Sequence, residues 1–559
     1  MGQAHTLYVG TRYTGNAAKV DVSVDGNAVL TNVDLQIAGE DVLVRLPVAQ
    51  DGAGTHTVTV THAGAAGTDL FLDFFEMAVL ATDLPVFPSQ PEVTLATDWD
   101  TNHALAIAPE RTAWMLDRMG FHGRQNHYVG ALVFYELHNP DQVFATGTVT
   151  FSGTAEENKT VSVTLDISGA QTVVQRVMHA GDTPATVAIS FANEFNDGYT
   201  NVWASASGGV LTVQSRLLGV QGNGIALSGS TNSTTLGVVA SGLSGGVDGT
   251  WFTDLTASPR LNRAMRDWTT SFFTALAGYG IDAAASFSTE LKDVDSSAAT
   301  GMAQRGPSGD AIVLPTPAVQ TNFSPTSLAF WKDVYLECAG LMTVAGLQPY
   351  LQFGEVQWWY FPNDGVGKNF SGMPFYDAWT QSQFQSQYGR AMAVFSDNTA
   401  DPASYPDEVS FLQSVLGSFT DSIISYVRAT YSTARFEVLY PFDVNQTNLN
   451  KAINFPTASW TPAALDCLKT EGLSMTYARR LDQSEEGINM GDALGFHPSQ
   501  RAHLIGAGDP TAPWVKEARI ATGKRFESVV LFALDQYCLI GLPLPVPELD
   551  RRSMRRSSR

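Results

Sequence analysis

The fold is indicated most directly by one stretch, Gln348-Pro-Tyr-Leu-Gln-Phe-Gly-Glu-Val-Gln-Trp-Trp-Tyr360. The pattern is that of a buried strand that ends at a carboxylate, Glu355, and is followed at once by three aromatic side chains. In a (β/α)8 barrel, side chains at the C-terminal ends of the strands line the mouth of the barrel, where active sites lie. A glutamate beside indole rings at such a mouth is typical of a site that cleaves sugars.

Strand patterns alternate with helical patterns on both sides of this stretch, which favours βα units around a parallel sheet or barrel. Helices are predicted at Pro109–Met119 and at Arg260–Leu276. The predicted strands are Val93–Trp99, His127–Tyr135, Ile281–Phe287, Pro349–Phe353, Phe436–Tyr440, Leu473–Tyr477, His503–Ala507 and Val529–Leu534. Eight strands are what a closed (β/α)8 TIM barrel needs. A Rossmann-like sheet is the alternative, but no GxGxxG motif follows the first strand, which argues against a dinucleotide site.

Two further regions have the alternating pattern of antiparallel strands. Ala18–Val24 and Thr55–His62 alternate apolar and polar residues, and Asp25-Gly-Asn has the composition of a hairpin turn. A later Thr/Ser/Val/Gly-rich region contains one predicted helix, near Thr186–Glu194. The predicted domains are an N-terminal β-sandwich (1–86), a TIM barrel (87–140 and 250–547), a β-rich domain inserted in the second βα loop (141–249) and a basic C-terminal tail (548–559).

Composition and charge narrow the classes of function. The chain has 559 residues, of which 44% are hydrophobic and 16% charged, as in a folded protein of several domains. Its net charge of -22 argues against nucleic acid and anionic membranes as partners. Met1–Tyr8 has neither the basic nor the apolar segment of an export signal, so we expect neither secretion nor membrane insertion.

The cysteines give no sign of a disulfide framework or a metal site. Cys338, Cys467 and Cys538 are odd in number, lie in apolar segments and form no CxxC motif. We therefore expect buried free thiols, no metal and no cofactor.

Acids follow several of the predicted strands, and we expect some of them to gather at the barrel mouth. They are Asp98, Asp100, Glu290, Glu355, Asp443, Asp509 and Asp535. Glycosidases use two carboxyl groups, about 5–5.5 Å apart in retaining enzymes and about 6.5–9.5 Å apart in inverting ones. Glu355 is the candidate general acid/base, and Asp509 or Glu290 is its candidate partner. Gly354 stands where many barrel glycosidases have an asparagine that holds a sugar hydroxyl, which weakens the catalytic interpretation.

Four other side chains are candidates for binding a substrate. Trp358, Trp359 and Tyr360 could stack on sugar rings, and His127 could bind a substrate hydroxyl. Simpler interpretations remain open for each of them. The aromatic side chains could pack under a loop or at a subunit contact, the acids could cap helices or pair with arginines, and His127 could be a satisfied histidine at a strand end.

Three motifs of the barrel region resemble a family of phage and prophage proteins described as non-contractile tail sheath proteins. The motifs are Thr321-Asn-Phe-Ser-Pro-Thr-Ser327, Gln352-Phe-Gly-Glu-Val-Gln-Trp-Trp-Tyr-Phe361 and Gly372-Met-Pro-Phe-Tyr-Asp377. The family resemblance implies a β-rich N-terminal domain and a TIM barrel similar to glycoside hydrolases. Segments of the inserted region, Phe191–Asn196, Val202–Val213 and Gly219–Ser228, resemble a short β-domain common in phage tail proteins.

The family resemblance implies a structural protein of the virion, made in the host cytoplasm. It would form a homo-oligomeric ring around the tail and contact other tail proteins, and the basic tail 548–559 would contact an acidic neighbouring subunit. Two alternatives stay open. One is an active glycoside hydrolase that degrades host surface polysaccharide, with Glu355 as general acid/base. The other is an adhesin that binds carbohydrate through the N-terminal sandwich and the tryptophans.

Overall fold

A computed structural model describes residues 5–37, 41–78, 89–98, 108–129, 137–138, 142–196, 200–250, 252–314, 318–362, 372–506 and 511–533. The predictions made for Asp100, Asp509, Asp535, Cys538 and the tail 548–559 lie outside these ranges. The chain divides into two compact units. One unit comprises Met1–Met77 and His138–Trp251, and the other comprises Ala78–Leu137 and Phe252–Arg559.

Eight parallel strands of the second unit close into a barrel, which confirms the predicted fold of this region. In chain order they are β1 (Val93–Asp98), β2 (Gln125–Tyr128), β3 (Ala283–Ser288), β4 (Tyr350–Gly354), β5 (Arg435–Pro441), β6 (Cys467–Glu471), β7 (Arg501–Gly506) and β8 (Ser528–Phe532). Each strand pairs with the next one along the chain, and β8 pairs with β1. This order is that of a TIM barrel.

Helices connect the strands and cover the outside of the barrel. They are Pro109–Arg118, Arg263–Gly278, Pro325–Val344, Ala378–Tyr388, Pro406–Thr430, Asn448–Ile453, Leu473–Tyr477, Leu481–Ala493 and Trp514–Gly523. The local sequence explains where several of these helices begin. A proline stands in the first turn of Pro109–Arg118, and the Asn262 side chain accepts a hydrogen bond from Met265 N at 2.8 Å to cap Arg263–Gly278. The helices and the outward-facing strand residues share one large apolar core, which includes Phe272, Trp331 and Phe436.

One predicted barrel strand is wrong. Leu473–Tyr477 is a helix, and the sixth strand is Cys467–Glu471, which begins six residues before the predicted strand. Lys469 of this strand contacts polar groups inside the barrel, so the segment lacks the apolar residues by which a buried strand is predicted. At the start of the helix, Ser474 N donates a hydrogen bond of 2.8 Å to Asp443 Oδ2, which satisfies one of the free amides of the first turn.

The first unit consists of antiparallel sheets. Two sheets of three strands are formed by Asp41–Asp51, His5–Thr14 and Leu72–Ala78, and by Asn27–Asp34, Lys19–Val24 and Val58–His62. A sheet of four strands contains Val202–Ser207, Val210–Leu218, Phe144–Gly153 and Leu236–Ser244, and a third sheet of three contains Ala170–Val177, Thr160–Ile167 and Ala226–Thr231. The boundaries of an N-terminal sandwich and of an inserted domain stay predictions.

Two local predictions in this unit are confirmed. Asp25 and Gly26 have φ angles of 51° and 81° and join paired residues Val24 and Asn27, as in a type I′ hairpin. The predicted helix is Pro184–Phe195, which packs Phe191 against Phe151 of the four-stranded sheet at a ring distance of 5.5 Å.

Cys338 and Cys467 are buried free thiols, as predicted. Of the helices in the part of the chain that the structure describes, none is long and apolar enough to span a membrane.

Candidate functional site at the barrel mouth

The middle of the barrel is filled by a buried polar layer rather than by apolar side chains. Lys469 Nζ lies 2.6 Å from both Glu437 Oε1 and Asn126 Oδ1. Arg124 Nη2 donates to Glu437 Oε2 at 2.6 Å, and Gln352 Nε2 donates to Asn126 Oδ1 at 2.9 Å and also to Glu437. We call Arg124, Asn126, Gln352, Glu437 and Lys469 the polar layer.

The charged groups of the polar layer shift one another's pKa values. Burial alone would raise the pKa of Glu437, but Lys469 and Arg124 outweigh it and hold this pKa at about 2. Burial lowers the pKa of Lys469, and Glu437 opposes this effect. Burial of such a cluster costs desolvation free energy. Removal of one charged partner lowers stability strongly, because the remaining partner becomes a buried unpaired charge.

An apolar layer lies between the polar layer and the mouth. It contains Ala96, Leu439, Leu504 and Val530, which are at most 1% exposed. Leu439 follows Glu437 by two residues on β5 and therefore faces the same interior one layer nearer the C-terminal end. The residues of the polar layer are buried, at most 8% exposed.

At the mouth, the carboxyl groups of Glu355 and Glu471 are hydrogen-bonded to each other. Glu355 directly follows β4 and is partly exposed, whereas Glu471 is the last residue of β6 and is 4% exposed. Asp443, two residues beyond β5, is the third acid of this group. We call Glu355 and Glu471 the carboxyl pair. Sequence reasoning missed Glu471 because it placed the sixth strand too late.

The surroundings of the carboxyl pair favour the protonated forms of its groups. Burial raises the pKa of Glu355, and the negative charge of Asp443 adds to this effect. Burial, the charge of Glu355 and its hydrogen bond raise the pKa of Glu471 well above its usual range, which favours one proton held between the two groups. Two carboxyl groups in direct contact are closer than the roughly 5 Å or more that glycosidases need to admit a sugar carbon or a water molecule.

We expect the Glu471→Gln variant to lose a pH dependence of stability that the native chain has. The folded pair keeps a proton that the unfolded chain releases above about pH 4.5, so its contribution to stability falls as pH rises, by up to about 1.4 kcal/mol per pH unit. Glutamine cannot ionise, so the variant should gain stability relative to the native chain as pH rises above about 4.5. Chemical unfolding at several pH values measures this difference. Asp267→Asn, at an exposed carboxylate, is the control, and parallel curves for Glu471→Gln and native protein would show that no proton is shared.

The backbone at Glu355 is held in a rare conformation by a network of buried amides. Glu355 has a φ angle of 54°, which is unfavourable for a residue with a side chain. Its carbonyl oxygen accepts a hydrogen bond of 3.2 Å from Trp359 Nε1. Four hydrogen bonds fix the following loop. Gln304 Nε2 donates to the carbonyl of Gln357 at 2.9 Å, and Asn445 Nδ2 donates to Gln357 Oε1 at 2.6 Å. Asn454 donates from Nδ2 to Asn445 Oδ1 at 2.9 Å and accepts at Oδ1 from Trp358 N at 2.8 Å. The loop that carries Glu355 is therefore preorganised.

Gly354 leaves no room for the asparagine of barrel glycosidases. A Cβ atom at this position would lie 2.8 Å from Ser286 Oγ and 3.1 Å from the carbonyl oxygen of Phe287. The chain therefore requires glycine before Glu355, and a sugar-holding side chain at this position would displace β3.

The three aromatic residues after Glu355 lie in different surroundings. Trp358 is completely buried, packs against Phe323 at a ring distance of 4.6 Å and donates from Nε1 to the carbonyl of Leu412 at 3.2 Å. Trp359 is partly exposed and stacks on Phe361 at 5.3 Å, and Tyr360 is also partly exposed. Only Trp359 and Tyr360 of this set could offer a ring face to a ligand.

His127 lies on the outer side of the barrel wall. Its neighbour Asn126 faces the interior, so alternation along β2 turns His127 toward the helix Arg263–Gly278. There it is enclosed by Trp268, Phe272 and Phe273 at ring distances of 5.3–5.8 Å, and burial lowers its pKa to about 3. The structure therefore does not bring His127 to the carboxyl pair.

Glu290 and Asp509 were the predicted partners of Glu355. Glu290 lies on a short strand, Glu290–Lys292, which follows β3 and pairs with Ala318–Gln320. Asp509 lies outside the described residues. The acid that contacts Glu355 is Glu471. Within the described ranges, no group of three or more His, Cys, Asp or Glu side chains is arranged to hold a metal ion.

The closed parallel barrel and its acidic C-terminal mouth define a TIM-barrel protein. The chain belongs to the non-contractile tail sheath protein family, because the family model described as "Non-contractile tail sheath protein TIM barrel" matches residues 246–536. This match confirms the family resemblance of the three barrel motifs. No curated protein matches the chain.

Solved structures that resemble the chain include glycoside hydrolases. The catalytic domain of beta-amylase from Paenibacillus polymyxa is 12% identical, with a TM-score of 0.37, over 51% of this chain and 83% of that one. The PgaB (BpsB) glycoside hydrolase domain from Bordetella bronchiseptica is 11% identical, with a TM-score of 0.35, over 49% and 77%. Similarities this low carry no conclusion about activity.

Proposed function

We propose that the chain is a structural subunit of a bacteriophage tail, which forms a ring with further copies around a non-contractile tail tube. The family match across the barrel is the observation that carries this proposal. The barrel would serve as a rigid scaffold, since a fold by itself does not fix a function.

The surface of the first unit supports repeated contacts with neighbours. Many of the large apolar side chains that are exposed belong to its antiparallel sheets, such as Val239 (69%), Val173 (58%), Leu217 (50%) and Met77 (50%). Where such side chains adjoin on a sheet face, they form the kind of apolar patch that a partner covers. We propose that the N-terminal sandwich and the inserted β-rich domain carry contacts to other copies and to other tail proteins.

The carboxyl pair supports a scaffold rather than an enzyme. With Glu355 and Glu471 in direct contact, neither is placed to attack a sugar carbon or to activate a water between them. The buried position of Trp358 likewise removes one of the three predicted stacking surfaces.

Immunogold electron microscopy of virions from the genome that encodes this chain tests the proposal. Label repeated along the tail is the expected result, and purified virions that lack the protein would overturn it. Glycan cleavage is assayed in parallel with native protein and Glu355→Gln on host surface polysaccharides. We expect no cleavage by either, and cleavage that the variant loses would establish the glycoside hydrolase instead. Glycan binding that survives in Glu355→Gln, without label on the tail, would identify an adhesin.

A further inference from the structure

A lysine amine and an asparagine amide lie in direct contact inside the barrel. Lys469 Nζ on β6 is 2.6 Å from Asn126 Oδ1 on β2, and both residues are almost completely buried. With a carbonyl bond of about 1.23 Å, the amide carbon Cγ lies at most about 3.8 Å from Nζ, and about 3.4 Å if Nζ approaches along the oxygen lone pair. A near-attack conformer needs about 3–3.5 Å and an approach to the face of the carbonyl, so Nζ must move out of the amide plane from its hydrogen bond before it can attack.

The orientation of the Asn126 amide is fixed by its neighbours. Lys469 and Gln352 Nε2 both donate to the atom assigned as oxygen, so the reverse orientation would set a third donor against them. The Nδ2 group has no hydrogen-bond partner among the described residues. Gln352 thus polarises the carbonyl and can stabilise negative charge that develops on Oδ1 when Nζ leaves its hydrogen bond to attack.

Two effects shift the pKa of Lys469 toward the neutral amine that a nucleophile requires. Burial lowers its pKa, and the nearby Arg124 guanidinium acts in the same direction against the opposing effect of Glu437. Glu437 Oε1 lies 2.6 Å from Nζ and is the nearest carboxylate to relay its protons, but its pKa of about 2 makes it a weak base, so proton transfer would be slow. Arg124 keeps Glu437 paired whether or not Lys469 is charged.

We propose that Lys469 and Asn126 react with each other to form an isopeptide bond between β6 and β2. A bond forms between Nζ and Cγ, and the bond between Cγ and Nδ2 breaks. Two protons leave the lysine ammonium through the Glu437 carboxylate and pass to Nδ2, which departs as ammonium. Charge and atoms balance, and no oxidant or cofactor takes part.

The architecture suits an internal reaction better than one with an external substrate. Lys469 is only 1% exposed, so an external substrate does not reach it in the folded barrel. Two groups held in contact by a folded barrel have a high effective concentration, so even a weak nucleophile reacts slowly to completion. The new amide keeps one N–H that can donate to Glu437, so the polar layer stays satisfied after the reaction.

Mass spectrometry of the purified full-length chain tests the proposal without any variant. The expected intact mass is below the sequence mass by the mass of one ammonia molecule. After denaturation and trypsin digestion, we expect a branched peptide that joins Gln125–Lys159 to Ala452–Arg479, because trypsin does not cleave after an acylated lysine. An unchanged mass together with a free Ala452–Lys469 peptide would overturn the proposal.

Two conservative variants identify the reacting groups. Lys469→Arg keeps a positive charge but cannot form the bond, and Glu437→Gln removes the base, so both should have the full sequence mass. Lys451→Arg, at a lysine outside the barrel interior, is the matched control and should keep the ammonia loss. If either test variant fails to fold, the digest of the native chain still shows whether the isopeptide bond is present. Loss of ammonia that persists in Lys469→Arg would place the reaction elsewhere and contradict the proposal.

Discussion

Replacement of Glu437 by leucine is expected to lower the free energy of unfolding by about 3–5 kcal/mol, since it leaves Lys469 as a buried charge without its carboxylate and leaves Arg124 with Glu527 alone. Glu437 is completely buried and contacts both cations at 2.6 Å. Urea unfolding of the native chain and the variant at neutral pH measures the difference. The barrel closes only if its interior is filled, so a loss of this size would establish the polar layer as a structural element.

An exposed ion pair and a double variant provide the controls. Asp267→Ala removes the i,i+4 pair of Arg263 and Asp267 on a helix surface, and we expect an effect of at most about 0.5 kcal/mol. Glu437→Leu combined with Lys469→Met removes two opposite charges together and should be less destabilising than the sum of the single changes. A loss below about 1 kcal/mol for Glu437→Leu would mean that water reaches the cluster and that the barrel interior is not sealed.

Trp358→Ala is expected to lower the free energy of unfolding by about 3–5 kcal/mol, as for a large aromatic side chain in a filled core. Trp358 is completely buried between Phe323 and Phe375, and its Nε1 group satisfies the carbonyl of Leu412. Thermal or urea unfolding measures the loss. The mutation would also release the loop that holds Glu355.

Trp359→Ala is the matched control, one residue along the chain. Trp359 is partly exposed, and we expect its loss to be smaller than that of Trp358 by about 2 kcal/mol or more. Equal effects for the two tryptophans would contradict the burial of Trp358 and reopen its use as a stacking surface for a ligand.

The barrel could be predicted from the sequence because most of its strands carry the expected apolar runs between amphipathic helices. The sixth strand could not, because Lys469 and Glu471 are buried by ion pairing and proton sharing rather than by apolarity. Sequence periodicity detects burial only when the buried side chains are apolar. The neighbouring segment Leu473–Tyr477 has a sequence pattern closer to that of a strand, but it forms a helix. Asp443 caps this helix by accepting a hydrogen bond from Ser474 N in its first turn.

Parts of the mouth could be predicted and others depend on contacts distant in sequence. The position of Glu355 after the fourth strand follows from the pattern, but its partner belongs to the strand that was misplaced. Alternation along β2 could have excluded His127 from the interior once Asn126 was assigned inward. The different burial of Trp358 and Trp359 depends on Asn454 and Leu412, almost a hundred and just over fifty residues away, so no local signal distinguishes the two.

The contact between Glu355 and Glu471 and the filled barrel interior support the proposal that this chain is a rigid part of a tail assembly. Electron cryomicroscopy of intact virions from the genome that encodes this chain tests this proposal most directly. We expect the barrel to recur in rings along the tail tube, with Glu355 and Glu471 in contact in every copy. A tail that lacks this barrel, or one in which the two carboxyl groups are separated around a bound sugar, would contradict it.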